Sequence, residues 1–199
     1  MTEQLFVEHS LSRTGGSGFR VRVLDDAHAT GNPPVAAIYG EPTDDCLVRI
    51  HSRCVYSEIL GSVDCDCHDQ VEQAKKLIID AGAGVIVYLD QEGRGAGLLA
   101  KARGYVYSQK HEADTFTSYR ALHLPDDSRD YAAAADLLES LGLTRVRLLT
   151  NNPEKMKALE DRGIIVKREP SIVPVSESAR AYLEAKRQHG HLIPSLTDS

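Results

Sequence analysis

Apolar and polar residues alternate with two different periods along this chain, and the change of period falls near residue 70. Before it, "FRVRVL" (19–24), "PVAAIYG" (34–40) and "CLVRIHS" (46–52) read as short extended stretches. The turn-forming "TGGSG", "TGNPP" and "EPTDD" around them predict an antiparallel sheet region. After it the spacing is helical: "DQVEQAKKLIIDAGAG" (69–84) sets Val71, Ala74, Leu77, Ile78 and Ala81 on one stripe and stops at glycine. "VIVYL" (85–89) follows as a buried strand and "GLLAKARGYVYSQK" (97–110) as a helix. The polar stretch 111–130 predicts an irregular loop, long enough to be functional. "YAAAADLLESLG" (131–142) predicts a helix ending at Gly142, and "VRLLT" (146–150) a strand. "NNPEKMKALEDRG" (151–163) predicts a helix with Asn152 as N-cap and Pro153 in its first turn. "IIVKRE" (164–169) closes the series of strands, and "SESARAYLEAKRQHGH" (176–191) is the last predicted helix. The implied class is mixed α/β, a β-rich N-terminal half beside a helix-flanked mixed sheet, in one domain over 1–199.

Composition narrows the function classes. The 199 residues are 42% hydrophobic and 26% charged with a net charge of −6, ordinary for a globular protein and without the basic face that nucleic acid requires. The basic groups in "KAR" (101–103) and "AKRQHGH" (185–191) read as solvated helix faces. No run approaches the roughly 20 apolar residues of a membrane span, and "MTEQLFVEHSLSRTGG" does not read as a signal peptide, so a cytoplasmic setting is expected.

Three of the four cysteines, Cys54, Cys65 and Cys67, fall within fourteen residues. A Cys-x-Cys pair suits disulfide geometry poorly, so reduced thiols binding a metal are the favoured reading, with Cys46 an ordinary core thiol. Three protein ligands with a fourth position left to water is the pattern of a catalytic zinc. A closed structural site, with Asp66, His68 or His51 as fourth ligand, is the alternative.

Three further stretches carry candidate chemistry. "DQEGRGAGLL" (90–99) follows a strand, and its glycines allow close backbone approach to an anion, with Arg94 placed to grip phosphate and Glu92 to accept from a base edge or hold a water. "LLTNNPEK" (148–155) puts Lys155 in a first helical turn, where the dipole disfavours a cation unless an anion sits there too. "PDDSRDY" (125–131) gathers Asp126, Asp127 and Asp130 around Arg129, with Asp130 a plausible N-cap and Asp127 a candidate general acid or base.

Taken in order, "VRIHSRC", "CDC" followed by Gln70, "QEGRGAGL", "AKARGY", "DSRDY", "LLTNNPEK" and "HGHL" resemble the GTP cyclohydrolase II family of riboflavin biosynthesis, over about 35–191. The resemblance implies a zinc on Cys54, Cys65 and Cys67, magnesium with the triphosphate, and a homodimer. It implies a nucleotide site of Arg49, His51, Ser52, Arg53, Gln70, Glu92, Gly93, Arg94, Thr115, Thr150 and Lys155. It further implies Asp127 as proton acceptor, Arg129 as a residue proposed as nucleophile, and Tyr105 beside the metal-bound water. A guanidinium with pKa above ~12 suits charge stabilisation better than nucleophilic attack.

The chain departs from the family pattern at several of these motifs. Arg53 stands where a glutamate is usual and Asp64 where an arginine is usual, which suggests either an ion pair with its charges exchanged or a re-cut nucleotide pocket. Tyr56, Ser57 and Glu58 replace "TGD", His68 and His123 replace glycines, and Thr117 and Tyr119 replace a glutamate and an asparagine. A paralogue with an altered substrate or a partial reaction is therefore a second expectation, and a non-catalytic zinc-stabilised nucleotide-binding module a third.

Overall fold

The computed structural model describes residues 6–14, 16–24, 32–174 and 177–194. Parts of the "TGGSG" and "TGNPP" turns, and Ser176 at the predicted start of the last helix, lie outside the described residues.

Seven strands form one sheet: β1 (Phe6–Arg13), β2 (Gly16–Leu24), β3 (Val35–Tyr39), β4 (Cys46–Ser52), β5 (Gly84–Leu89), β6 (Arg145–Leu149) and β7 (Ile165–Glu169). Their order across the sheet is β1-β2-β3-β5-β4-β6-β7. The β1/β2, β2/β3 and β3/β5 pairs are antiparallel, whereas β4 runs parallel to both β5 and β6, and β6 to β7. The antiparallel expectation therefore fails for β4. The chain between β4 and β5 is a long helical crossover, which a parallel neighbour requires and a hairpin could not supply. The strand β1 was missed because its polar and apolar residues are all exposed on the sheet edge, so burial imposes no pattern on them.

The helices are α1 (Val55–Glu58), α2 (Cys67–Asp80), α3 (Gly97–His111), α4 (Thr115–Ala121), α5 (Ala132–Ser140), α6 (Pro153–Glu160) and α7 (Glu177–Gln188). The helix α4 corrects the loop expected over 111–130. Asp114 caps it by accepting from the backbone N–H groups of Phe116 and Thr117, which the mixed polarity of the stretch concealed. The α2 stripe is narrower than its spacing suggests: Val71, Ala74 and Ile78 are buried, but Leu77 and Ala81 are exposed. Asn152 caps α6 as expected, accepting from Glu154 N–H at 3.0 Å. Tyr131 holds the cap position of α5, with the Asp130 carboxylate accepting from Ala132 N–H at 2.9 Å.

The strands β4 and β5 are covered on both faces, as buried parallel strands are. Val48, Ile50, Val85 and Val87 pack with Ala134, Leu137 and Leu138 of α5 and Leu159 of α6. Leu47 and Ile86 pack on the other face with Ala74 and Ile78 of α2. Alternation along β4 then places Arg49 and His51 on the α2 side. Cys46 packs at the edge of the larger cluster, and burial pushes its thiol up to about 11, in keeping with an ordinary core thiol.

Candidate active site

The carboxyl ends of β4, β5 and β6 lie side by side, and each leads straight into one of the sequence motifs. Crevices at that end are where open α/β sheets bind ligands. Beyond β4 comes Cys54, beyond β5 the turn Glu92–Gly95, and beyond β6 Thr150 and α6.

Cys54, Cys65 and Cys67 bring their sulfurs within 4.8 Å of one another, with Cys54 and Cys65 at 3.6 Å. The segments carrying them are tied together: His68 N–H donates to Ser57 Oγ at 3.0 Å, and Cys54 N–H donates to Glu58 Oε1 at 2.6 Å. Hydrogen bonds from Cys65 and Cys67 hold the Cys54 thiol far below its ordinary range, and the same contacts push the other two thiols up. Three converging soft sulfur donors fit zinc. Of the three side chains weighed as a fourth ligand, two are engaged with other partners and the third is exposed. His51 Nε2 lies 3.1 Å from Glu58 Oε1, Asp66 accepts from Lys186 Nζ at 2.9 Å, and His68 is exposed. Among the described residues the cluster has cysteines alone.

Two clefts, of about 540 and 580 Å³, share Ser52, Cys67, Arg129 and Tyr182 in their walls. The one beside the sulfurs is also lined by Arg53, Glu92, Gly93, Arg94, Lys101, Tyr105, Thr115 and Tyr119. Burial raises the Tyr105 phenol, so its hydroxyl keeps its proton at neutral pH. The turn at 92–95 runs through left-handed backbone at Gly93 and Arg94 (φ 58° and 56°), and Tyr119 OH donates to Gly93 O at 3.2 Å to hold it. The Arg94 guanidinium lies 3.5 Å over the Phe116 ring.

The other cleft is lined by Arg49, His51, Gln70, Thr150, Lys155, Lys186 and His191. Lys155 is 5% exposed and donates to Ile50 O at 2.9 Å. Burial, with Arg49, Arg129 and Lys186 nearby, pushes it well below the usual lysine range. Burial, with Lys186, Arg129, Lys155 and Arg94 nearby, pushes His191 down to about 3, so its ring is neutral at pH 7. Arg49 Nε, His51 Nδ1 and Arg94 NH2 are buried without a hydrogen-bond partner among the described residues, which is costly unless a ligand completes them.

Arg129 grips Asp127 in a bidentate pair, Nε to Oδ1 at 2.9 Å and NH2 to Oδ2 at 2.5 Å. Burial works against the Arg129 charge, yet this pair holds the guanidinium above its ordinary range; likewise the pair outweighs burial and holds Asp127 below its own. The exchanged ion pair expected between Arg53 and Asp64 does not form. Arg53 NH1 pairs with Asp90 at 2.9 Å, and Asp64 accepts from Ser62 Oγ at 2.8 Å. Register explains it: Ser52 lies opposite Leu89 in the parallel β4/β5 pair, which brings the next residues, Arg53 and Asp90, together.

Sequence reasoning missed Lys101, Tyr182, Lys186 and His191, having put the basic groups of both segments on solvated faces. Lys101 donates to Glu92 and Lys186 to Asp66. A signal was present: Lys101 precedes Tyr105, and Tyr182 precedes Lys186, by four residues, one helical face in each case.

The family description GTP cyclohydrolase II matches residues 5–170. GTP cyclohydrolase-2 of Streptomyces coelicolor is 42% identical over 85% of this chain and 78% of its own. The Acinetobacter baumannii (strain SDF) protein of that name is 41% identical over 92% of each, and that of Neisseria meningitidis serogroup A is 44% identical over 95% and 90%. The matched residues include the three cysteines and the turns that follow β5 and β6, and the chain belongs to the GTP cyclohydrolase II family.

Proposed function

We propose that this protein hydrolyses GTP, opening the imidazole ring with release of formate and pyrophosphate to give 2,5-diamino-6-(5-phosphoribosylamino)pyrimidin-4(3H)-one. The observation that carries this reading is the shared wall between the three-sulfur cluster and the cation-lined cleft, which allows one nucleotide to reach both. GTP cyclohydrolase-2 relatives at 40–44% identity support the substrate.

Zinc, when held by Cys54, Cys65 and Cys67, supplies a Lewis acid for water activation. The rest falls to the chain's own side chains. Arg49, Lys155 and Arg129 bind the polyphosphate, with Thr150 and Gln70 beside them and magnesium on the triphosphate. The arginine charges stabilise the pyrophosphate as it leaves, and the anion favours the protonated form of Lys155. Arg94, Gly93, Thr115, Ser52, His51 and Arg53 hold the nucleoside end, with Glu92 behind them. Tyr105, protonated, donates to oxygen developing at the purine C8 carbon. Asp127, ionised, is the proton acceptor, and Arg129, held cationic by it, stabilises charge rather than attacking. One catalytic domain, a cytoplasmic setting and a homodimer complete the reading. The exposed apolar side chains Phe6, Val7 and Leu11 on the edge strand β1 support the homodimer. None of the helices among the described residues is long and apolar enough to cross a membrane.

A second reading, a paralogue with another nucleotide or a reaction that stops at ring opening, rests on one contact. Tyr56, where the family has threonine, meets the Tyr105 ring edge-on at 5.2 Å. Incubating zinc-loaded protein with GTP and magnesium, and measuring formate and pyrophosphate separately, tests both. Equal release of the two is the expected outcome and eliminates the partial reaction. Pyrophosphate without formate supports the second reading, and nucleotide binding without either product overturns turnover altogether.

A further inference from the structure

Lys101 lies on the wall of the three-sulfur cleft with its side chain 11% exposed. Its Nζ donates to Glu92 Oε1 at 2.7 Å and to Cys54 Sγ at 3.1 Å, and stands 4.5 Å from the centre of the Tyr56 ring. An ammonium this withdrawn from water is costly unless it is well paired, and here the pairing is to one carboxylate and one cysteine sulfur. Glu92 also holds the backbone next to that cysteine. Its Oε2 accepts from Val55 N–H, the residue directly after Cys54, at 2.7 Å. The carboxylate is itself 6% exposed and is carried on the turn that β5 feeds. Three thiolates around a divalent cation leave a net negative charge in a half-buried place, and Lys101 is the cation in hydrogen-bond contact with that cluster.

We propose that Lys101, oriented by Glu92, is a positioning residue for the metal centre: its ammonium donates to the Cys54 thiolate, offsets the negative charge of the cluster and fixes the direction of that sulfur. This rests on the zinc-site reading of the proposed function. Such outer partners of metal ligands typically account for 10–100-fold in metal affinity. A hydrogen bond to a thiolate also withdraws electron density from it, so removing the donor makes the sulfur the stronger electron donor.

The test strips wild type, Lys101→Met, Lys101→Arg and Glu92→Gln of metal, then titrates zinc against a chromophoric chelator and records the cobalt(II) spectrum. Lys101→Met is expected to bind zinc about 10–100-fold more weakly, with the sulfur-to-cobalt charge-transfer band moved to longer wavelength. Lys101→Arg, which keeps the charge, recovers part of the affinity. Glu92→Gln shifts affinity and band in the same direction as Lys101→Met, and decides the matter if that variant does not fold by circular dichroism. A wild type that binds zinc, with Lys101→Met of equal affinity and an unmoved cobalt band, overturns the inference alone. A wild type that takes up no zinc overturns it together with the reading beneath it.

Discussion

His123 holds a left-handed backbone (φ 54°) just past α4, where its N–H donates to Arg120 O and the Leu124 N–H reaches back to Tyr119 O at 2.8 Å. That pair of bonds is the Schellman closure, whose left-handed position is ordinarily glycine. A residue with a Cβ pays about 1–2 kcal/mol there, and glycine returns part of this by loosening the unfolded chain. Since the imidazole is exposed, His123→Gly is expected to stabilise the protein by about 0.5 kcal/mol, a rise in Tm of roughly 1–2 °C by calorimetry. A lower Tm would show that the ring makes a contact worth more than the strain. At the same scale, Arg129 illustrates how a neighbour shapes chemistry: clamped by a carboxylate and kept charged, it is suited to the charge-stabilising role proposed for it.

The helix α4 is short, yet it supports the turn proposed above to hold the nucleoside. Phe116 lies under Arg94, and Tyr119 OH bonds to Gly93 O. Its N-cap is Asp114, whose Oδ1 accepts from Phe116 N–H at 2.7 Å and from Thr117 N–H at 3.1 Å, with Oδ2 accepting from Thr117 Oγ1 at 2.6 Å. Burial would raise the Asp114 carboxyl, but the bonds from Thr117 and Phe116 outweigh it and hold it below its usual value. A depressed folded-state pKa means a contribution present above the unfolded value, about 3.9, and lost as pH falls through the folded one. Asp114→Ala should therefore cost about 1 kcal/mol at pH 7, and less as the medium is acidified below about pH 4. Urea denaturation at pH 7 and pH 3 checks both, and a gap unchanged by acid would refute the capping account.

Over the whole molecule, a buried polar chain links the C-terminal helix to the sheet. Lys186 of α7 donates to Asp66 between two cluster cysteines, Gln70 bonds to Asp66 and to Arg49, and Arg49 NH1 donates to Leu149 O at 2.9 Å. Removing one member of a buried ion pair leaves the other charge uncompensated. Lys186→Met should therefore lose about 3 kcal/mol of stability and weaken binding of a non-hydrolysable GTP analogue in calorimetric titration. Wild-type affinity in that variant would show that α7 packs beside the site without serving it.

The strands and helices of the core, the cap of α6 and the grouping of three cysteines were legible in the sequence, because periodicity, capping and residue spacing are local properties of the chain. Seven short motifs in order were enough for the family resemblance. Which charges meet was settled by long-range packing. Arg53 finds Asp90 rather than Asp64 because parallel register aligns β4 with β5. Lys101 and Lys186, which sit in segments that read as solvated faces, are drawn largely out of water because anionic partners distant in sequence, Glu92 with Cys54 and Asp66, hold them. A lysine looks the same in a sequence whether water or a carboxylate surrounds it, and the long-range packing that makes the choice leaves no mark at its own position.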